Sequence, residues 1–285
     1  MSAMVSAEEL AGLLREVTVL DVRWRLGHTD GHRQFLAGHV PGAAYVDLET
    51  DLADPPGRRG RHPLPDPDRF AAAMSRCGVR GDRPVVVYDD WAGLAATRGW
   101  WLLRYHGHPD VRVLDGGWAS WRAGGHGTGA TRRSTETGER LPALGDFRAD
   151  PGHLPVVDAR GAARVARAGL LLDARAPERF RGEVEPVDPV PGHIPGAVNV
   201  PTTGNLDGDR FRPVEQLATA YAATEDVGEL AVYCGSGVSA THDVFVLYEL
   251  GREAALYPGS WSEWVADAAR PVAVGPAGSE AVQEN

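Results

Sequence analysis

Two short segments, GHVPGA at residues 38–43 and GHIPGA at 192–197, are near-copies set far apart in one chain, and the residues around them recur in the same order. VTVLDVR (17–23) and LLLDAR (170–175) precede them, and PVVVYD (84–89) and ELAVYC (229–234) follow, each leading into a helical pattern. Each half then closes on a short apolar strand and a Gly-Trp segment, LDGGWASW (114–121) and LYPGSWSEW (256–264). A repeat of this length requires two bodies of like fold. The apolar runs are short, β-branched and uninterrupted, as strands covered on both faces are, and the stretches between them have the length of crossover helices. Each half is therefore expected to be an α/β unit, a central parallel sheet with helices on both faces.

The 285 residues agree with two domains, expected at 1–123 and 153–285. The linker is expected at 124–152, because GGHGTGATRRSTETGERLPALG (124–145) is rich in Gly, Thr and charge and has no periodicity. From about Arg270 the chain reads as a frayed end. The tryptophans at 100, 101, 118, 121, 261 and 264 read as packing residues of the core and between domains.

A formal net charge of -10 opposes binding to phosphate backbones, so neither nucleic acid nor an anionic membrane is an expected partner. All 29 cationic side chains are arginine, which excludes chemistry that needs a lysine amine. Two cysteines are too few for a disulfide framework or a cysteine-rich zinc site, and they suit a reducing cytoplasm. No apolar run reaches membrane-spanning length, so a soluble cytoplasmic protein without a metal or organic cofactor is expected.

The chemistry concentrates at Cys234. It ends a buried strand, and GSGVSA after it opens a helix. A strand-to-helix turn with Gly235 and Gly237 lets the backbone N–H groups of the loop, through Val238 and Ser239, point at the sulfur from the positive end of the helix. Such a nest favours the thiolate and would hold a persulfide, and the Ser236 and Ser239 hydroxyls add donors. Cys77, in MSRCGVRG, lacks such a loop and reads as a small buried hydrophobe.

With CGSGVSA (234–240) and the repeat in view, the chain from about residue 6 to 268 resembles tandem-domain sulfurtransferases, the rhodanese and mercaptopyruvate sulfurtransferase family. The resemblance implies two tandem rhodanese-like domains, a catalytically silent N-terminal half, and sulfur carried on Cys234 as a persulfide. Asp89 stands at the place of the cysteine in the silent half, in a loop one residue longer. The neutral loop is similar to the mercaptopyruvate form; thiosulfate-type members carry basic residues there. In DARAPERFRG (173–182) the resemblance makes Arg179 the residue that reaches the loop and grips the donor. Asp173 and Arg175 read as a structural ion pair. Val187 stands where mercaptopyruvate enzymes carry a second arginine, for which Arg181 could compensate.

His39 and Asp30 match family positions that relay a proton with Ser236, whereas His193 reads as part of a turn. A cysteine phosphatase needs arginine six positions after the nucleophile; that place is Ala240, so ester hydrolysis is excluded. The implied reaction is a double displacement from 3-mercaptopyruvate to a thiol or cyanide acceptor. The alternatives are thiosulfate as donor, or a persulfide carrier acting on protein partners.

Overall fold

A computed structural model of the chain describes residues 2–124, 133–276 and 281–283. They form two compact units. The first comprises the described residues of 1–54, 65–153 and 206–211, and the second those of 55–64, 154–205 and 212–285. Each unit thus takes in one short piece of the other half of the sequence, which a cut at a linker did not anticipate. Of the expected linker, residues 125–132 lie outside the described residues. Residues from 133 onward are bonded along the first unit: Glu136 pairs its backbone with His39, Gly145 N–H donates to Ser75, and Phe147 is buried edge-on against Phe70.

In the first unit, β1 (Met4–Val5), β2 (Thr18–Asp21), β3 (Ala44–Tyr45), β4 (Val85–Tyr88) and β5 (Val111–Leu114) form one all-parallel sheet in the order β1-β5-β4-β2-β3. In the second unit come β6 (Leu170–Asp173) and β7 (Val198–Asn199). The hairpin β8 (Leu206–Asp207) and β9 (Arg210–Phe211) belongs to the first unit. With β10 (Leu230–Tyr233) and β11 (Ala255–Leu256), the second sheet runs β11-β10-β6-β7, also parallel. Val156 bridges Leu256 in the place that β1 holds beside β5. The two sheets therefore have one topology, and the uninterrupted apolar runs are its central strands: all four residues of β4 are buried.

The near-copied segments fasten these sheets. The Arg23 guanidinium pairs with the fully buried Asp21 carboxylate and donates to the Gly38 carbonyl at 2.6 Å. Arg175 does the same with Asp173 and Gly192, at 2.6 and 2.7 Å. His39 stacks on Phe35 at 4.0 Å and bonds its carbonyl through Nδ1, as His193 does with Phe180 at 3.7 Å. Val40 and Ile194 donate their N–H groups to Tyr88 and Tyr233 at the ends of the central strands. Each buried ion pair stands in for one hydrophobic contact at little net gain, but removing one partner would strand a buried charge, a loss of roughly 3–5 kcal/mol. Around them, Phe35, Leu114 and Trp121 in one core and Phe180, Ile194 and Trp261 in the other are fully enclosed.

The described residues beyond Arg270 are paired, where a frayed end was expected. β12 (Val272–Val274) pairs antiparallel with β13 (Ala281–Gln283), and Ala273 exchanges two backbone bonds with His193. Val272 and Ala273 are buried: an apolar alternation finds an edge to join even at a chain end. No helix among the described residues is long and apolar enough to cross a membrane.

Candidate active site

β10 delivers Cys234 into the turn that precedes the helix Ala240–Glu249. The free Cys234 thiol is 1% exposed, and the Gly237 N–H donates to Sγ at 3.1 Å. Gly237 holds this position with a φ of +78°, and a Cβ there would collide with the Pro258 carbonyl oxygen, so only glycine keeps the amide on the sulfur. The Cys234 N–H donates to Ser260 Oγ at 3.1 Å, and the same hydroxyl lies 4.0 Å from Sγ. Ser260 is fully buried at a φ of +52°, a left-handed conformation that a residue with a side chain adopts at a penalty of about 1–3 kcal/mol. The backbone of Trp261 and Ser262 closes on Cys234 and Gly235 at 3.0 and 2.9 Å, which locks the loop onto the Pro258–Ser262 turn.

Two guanidiniums flank the next residue. A Cβ built on Gly235 would stand 2.9 Å from Arg61 Nη2 and 3.5 Å from Arg179 Nη1, so the absent side chain leaves that space to cations. Arg61 comes from the stretch 55–64 of the second unit, where Gly57 and Gly60 close a turn with two 3.0 Å backbone bonds and Arg61 N–H donates to Ser262 Oγ. Asp188 Oδ1 pairs with Arg61 and Asp188 Oδ2 with Arg179 Nη2 at 3.3 Å; Glu185 holds Arg179 at 2.7 Å. Burial opposes ionisation of Glu185, but the Arg179 bond and the N–H groups of Asp188 and Val187 outweigh it and hold its carboxyl below the ordinary range. Burial pushes Asp188 up instead, against the pull of Arg61. The expected substitute Arg181 is turned to Glu183, at 2.7 and 2.8 Å.

The Ser236 hydroxyl has a partner other than the expected one: His62 Nδ1 lies 2.7 Å from its Oγ, with both residues buried in the second unit. His39 and Asp30 belong to the first unit. There the His39 ring is occupied by Phe35 as described, and Asp30 accepts from Arg33 at 2.7 Å and Gln34 at 3.0 Å. Ser239 is half-buried and makes no cap bond with its side chain, while Val238 is buried in the loop. Thus Cys234, Gly235, Ser236, Gly237, Val238, Ser239 and Arg179 lie together, joined by Arg61, His62 and Ser260, which the sequence did not single out. In RRGRHPLP neither residue has a spacing that ties it to Cys234. Ser260 carried one overlooked signal: it occupies the left-handed place that Gly117 fills in the first half.

The first unit shows what the loop is built to hold. At the position of Cys234, the fully buried Asp89 carboxylate accepts four backbone N–H groups, from Trp91, Gly93, Ala95 and Ala96, at 2.8–2.9 Å. Burial pushes this carboxyl above its usual range, and the four amides pull against that. The turn is an anion nest, filled by a fixed carboxylate in one half and by a thiol in the other. Cys77 has no such surroundings: burial pushes its thiol up to about 12.

The sequence model of the rhodanese-like domain matches residues 6–124 and again 153–267, and the chain belongs to the rhodanese family. It is a two-domain sulfurtransferase of that family. It is 46% identical to a Mycobacterium tuberculosis protein assigned by name to thiosulfate sulfurtransfer, over 96% of this chain and 98% of the relative. A Pseudomonas aeruginosa protein assigned by name to 3-mercaptopyruvate sulfurtransfer is also 46% identical, over 95% and 98%. The crystal structure of SseA from Escherichia coli, a 3-mercaptopyruvate sulfotransferase, superposes with a TM-score of 0.79 at 31% identity, covering 92% of this chain and all of that one.

Proposed function

We propose that Cys234 takes sulfur from 3-mercaptopyruvate and passes it, as a persulfide, to a thiol or cyanide acceptor, in a reducing cytoplasm. The observation that carries this reading is the 2.7 Å contact between His62 and Ser236 beside the sulfur. When the Cys234 thiolate attacks the donor sulfur, the C–S bond breaks and its electron pair is left on the three-carbon fragment as an enolate. That fragment becomes pyruvate only by taking up a proton, which Ser236 delivers and His62 replaces. Thiosulfate releases sulfite with no such requirement, so a buried proton-donating pair has work to do only with the carbon donor. Arg61 and Arg179 bind the donor's carboxylate, and the Gly237 amide stabilises the anionic sulfur before and after transfer. Attack of the acceptor on the outer sulfur then restores the Cys234 thiolate.

The second reading, thiosulfate as donor, draws on the two guanidiniums at Gly235, which also suit a dianion. Steady-state sulfur transfer to cyanide with each donor separates the two. Cys234→Ser is expected to abolish both activities. His62→Gln is expected to slow the mercaptopyruvate reaction by about 10²–10⁴-fold and leave thiosulfate turnover nearly unchanged. Equal losses with both donors would refute the proton relay. Discharge to protein acceptors alone would mark a persulfide carrier.

A further inference from the structure

The first unit contains a cavity of about 510 Å³ that plays no part in the chemistry of Cys234. Four arginines line it, at positions 23, 33, 122 and 133, together with Trp118, and no carboxylate does. In a chain with a formal charge of -10 this is a local reversal of sign. Two of the cations are neutralised from outside the cavity wall, Arg23 by Asp21 and Arg33 by Asp30. The other two are not. Arg122 has no hydrogen bond or ion pair with any described residue. Arg133 lies over Trp121 at 5.6 Å, and its Nη1 is buried with no hydrogen-bond partner among the described residues. A buried guanidinium N–H without an acceptor is unfavourable, and an oxyanion in the cavity relieves it.

At the matching place of the second unit the tryptophan is enclosed. Arg175 lies over Trp261 at 4.7 Å just as Arg23 lies over Trp118 at 4.7 Å, but Trp261 is fully buried and its indole N–H donates to the Val190 carbonyl. Trp118 is half-buried, and its indole N–H bonds no described residue. The partly open tryptophan thus belongs to the unit whose turn carries Asp89.

We propose that this cavity binds a small phosphorylated metabolite, its phosphate oxygens held by Arg122 and Arg133 and its organic part resting on Trp118. The planar fork of guanidinium matches phosphate oxygens two at a time, and the volume is that of an ordinary small-molecule site. Calorimetric titration of the intact protein with ADP and with inorganic pyrophosphate tests it. Both probes are expected to saturate one site below about 1 mM, and ADP is expected to bind more tightly, an advantage that Trp118→Ala removes. Arg122→Gln, at an exposed position, and Arg133→Gln are each expected to weaken both probes by about tenfold or more, without changing sulfur transfer. Arg179→Gln is expected to leave both affinities intact. No saturable binding of either probe overturns the proposal, as does binding that is lost in Arg179→Gln and kept in Arg122→Gln, which would place the anion at the Cys234 loop.

Discussion

Asp243 offers a test of how the active-site helix is held, because it is an acid sealed under that helix without a compensating cation. It is fully buried in the first turn of Ala240–Glu249, accepts from Asn205 Nδ2 at 2.8 Å through Oδ1, and faces the buried Tyr221 hydroxyl. Burial pushes its carboxyl up from the ordinary 3.8 to about 8. In the unfolded chain the same group ionises near pH 4, so between about pH 4 and about pH 8 the folded form keeps a proton that the unfolded form has lost. Stability attributable to Asp243 is full below pH 4 and falls by about 1.4 kcal/mol for each pH unit, a total of about 6 kcal/mol once pH passes 8. Asp243→Asn keeps the acceptor for Asn205 and removes the titration. Denaturant unfolding of both proteins at pH 5, 6, 7 and 8 should show the native chain losing about 4 kcal/mol relative to the variant across that span. A difference that stays constant with pH would refute the reasoning, because it would mean that Asp243 is ionised in the folded state throughout.

Three further outcomes follow from the site. Arg61→Gln should raise KM for mercaptopyruvate by about tenfold to a hundredfold with little change in kcat, and Asp188→Asn should lower it by freeing both guanidiniums; steady-state kinetics reads both. Ser260→Ala should destabilise by about 1–2 kcal/mol, because it keeps the left-handed backbone and discards the bond to the Cys234 N–H, whereas Ser260→Gly relieves the strain and should unfold no earlier than the native protein while transferring sulfur more slowly. Gly237→Ala should lower kcat by at least about 10²-fold, since the new Cβ meets the Pro258 carbonyl and the amide must leave Sγ; circular dichroism melting would verify that the rest of the fold persists.

The two halves also show how one scaffold supports a reactive and an inert version of the same turn. Asp89 satisfies four amides with its carboxyl oxygens and offers no sulfur to react. The Cys234 sulfur instead receives the Gly237 N–H at 3.1 Å and the more distant Ser260 hydroxyl at 4.0 Å, and as a thiolate it is a nucleophile. The turn of the first unit is thus filled by its own carboxyl, while that of the second presents a sulfur nucleophile.

Local pattern by itself determined the doubled sheet, the strand that presents Cys234, the glycines of its turn and the inert aspartate at the matching place. These depend on periodicity and on residues adjacent in the chain, such as PVVVYD and CGSGVSA, where the backbone can follow only one course. The GHxPGA copies were legible as turns, but not the stacking that occupies His39 as fully as His193. The partner of Ser236 was decided by tertiary structure alone. Residues 55–64, an irregular stretch with no period, fold with the second unit and bring Arg61 and His62 to a loop far along the chain. Nothing local specifies such a contact, because its energy comes from burial and hydrogen bonds that exist only after both segments have met.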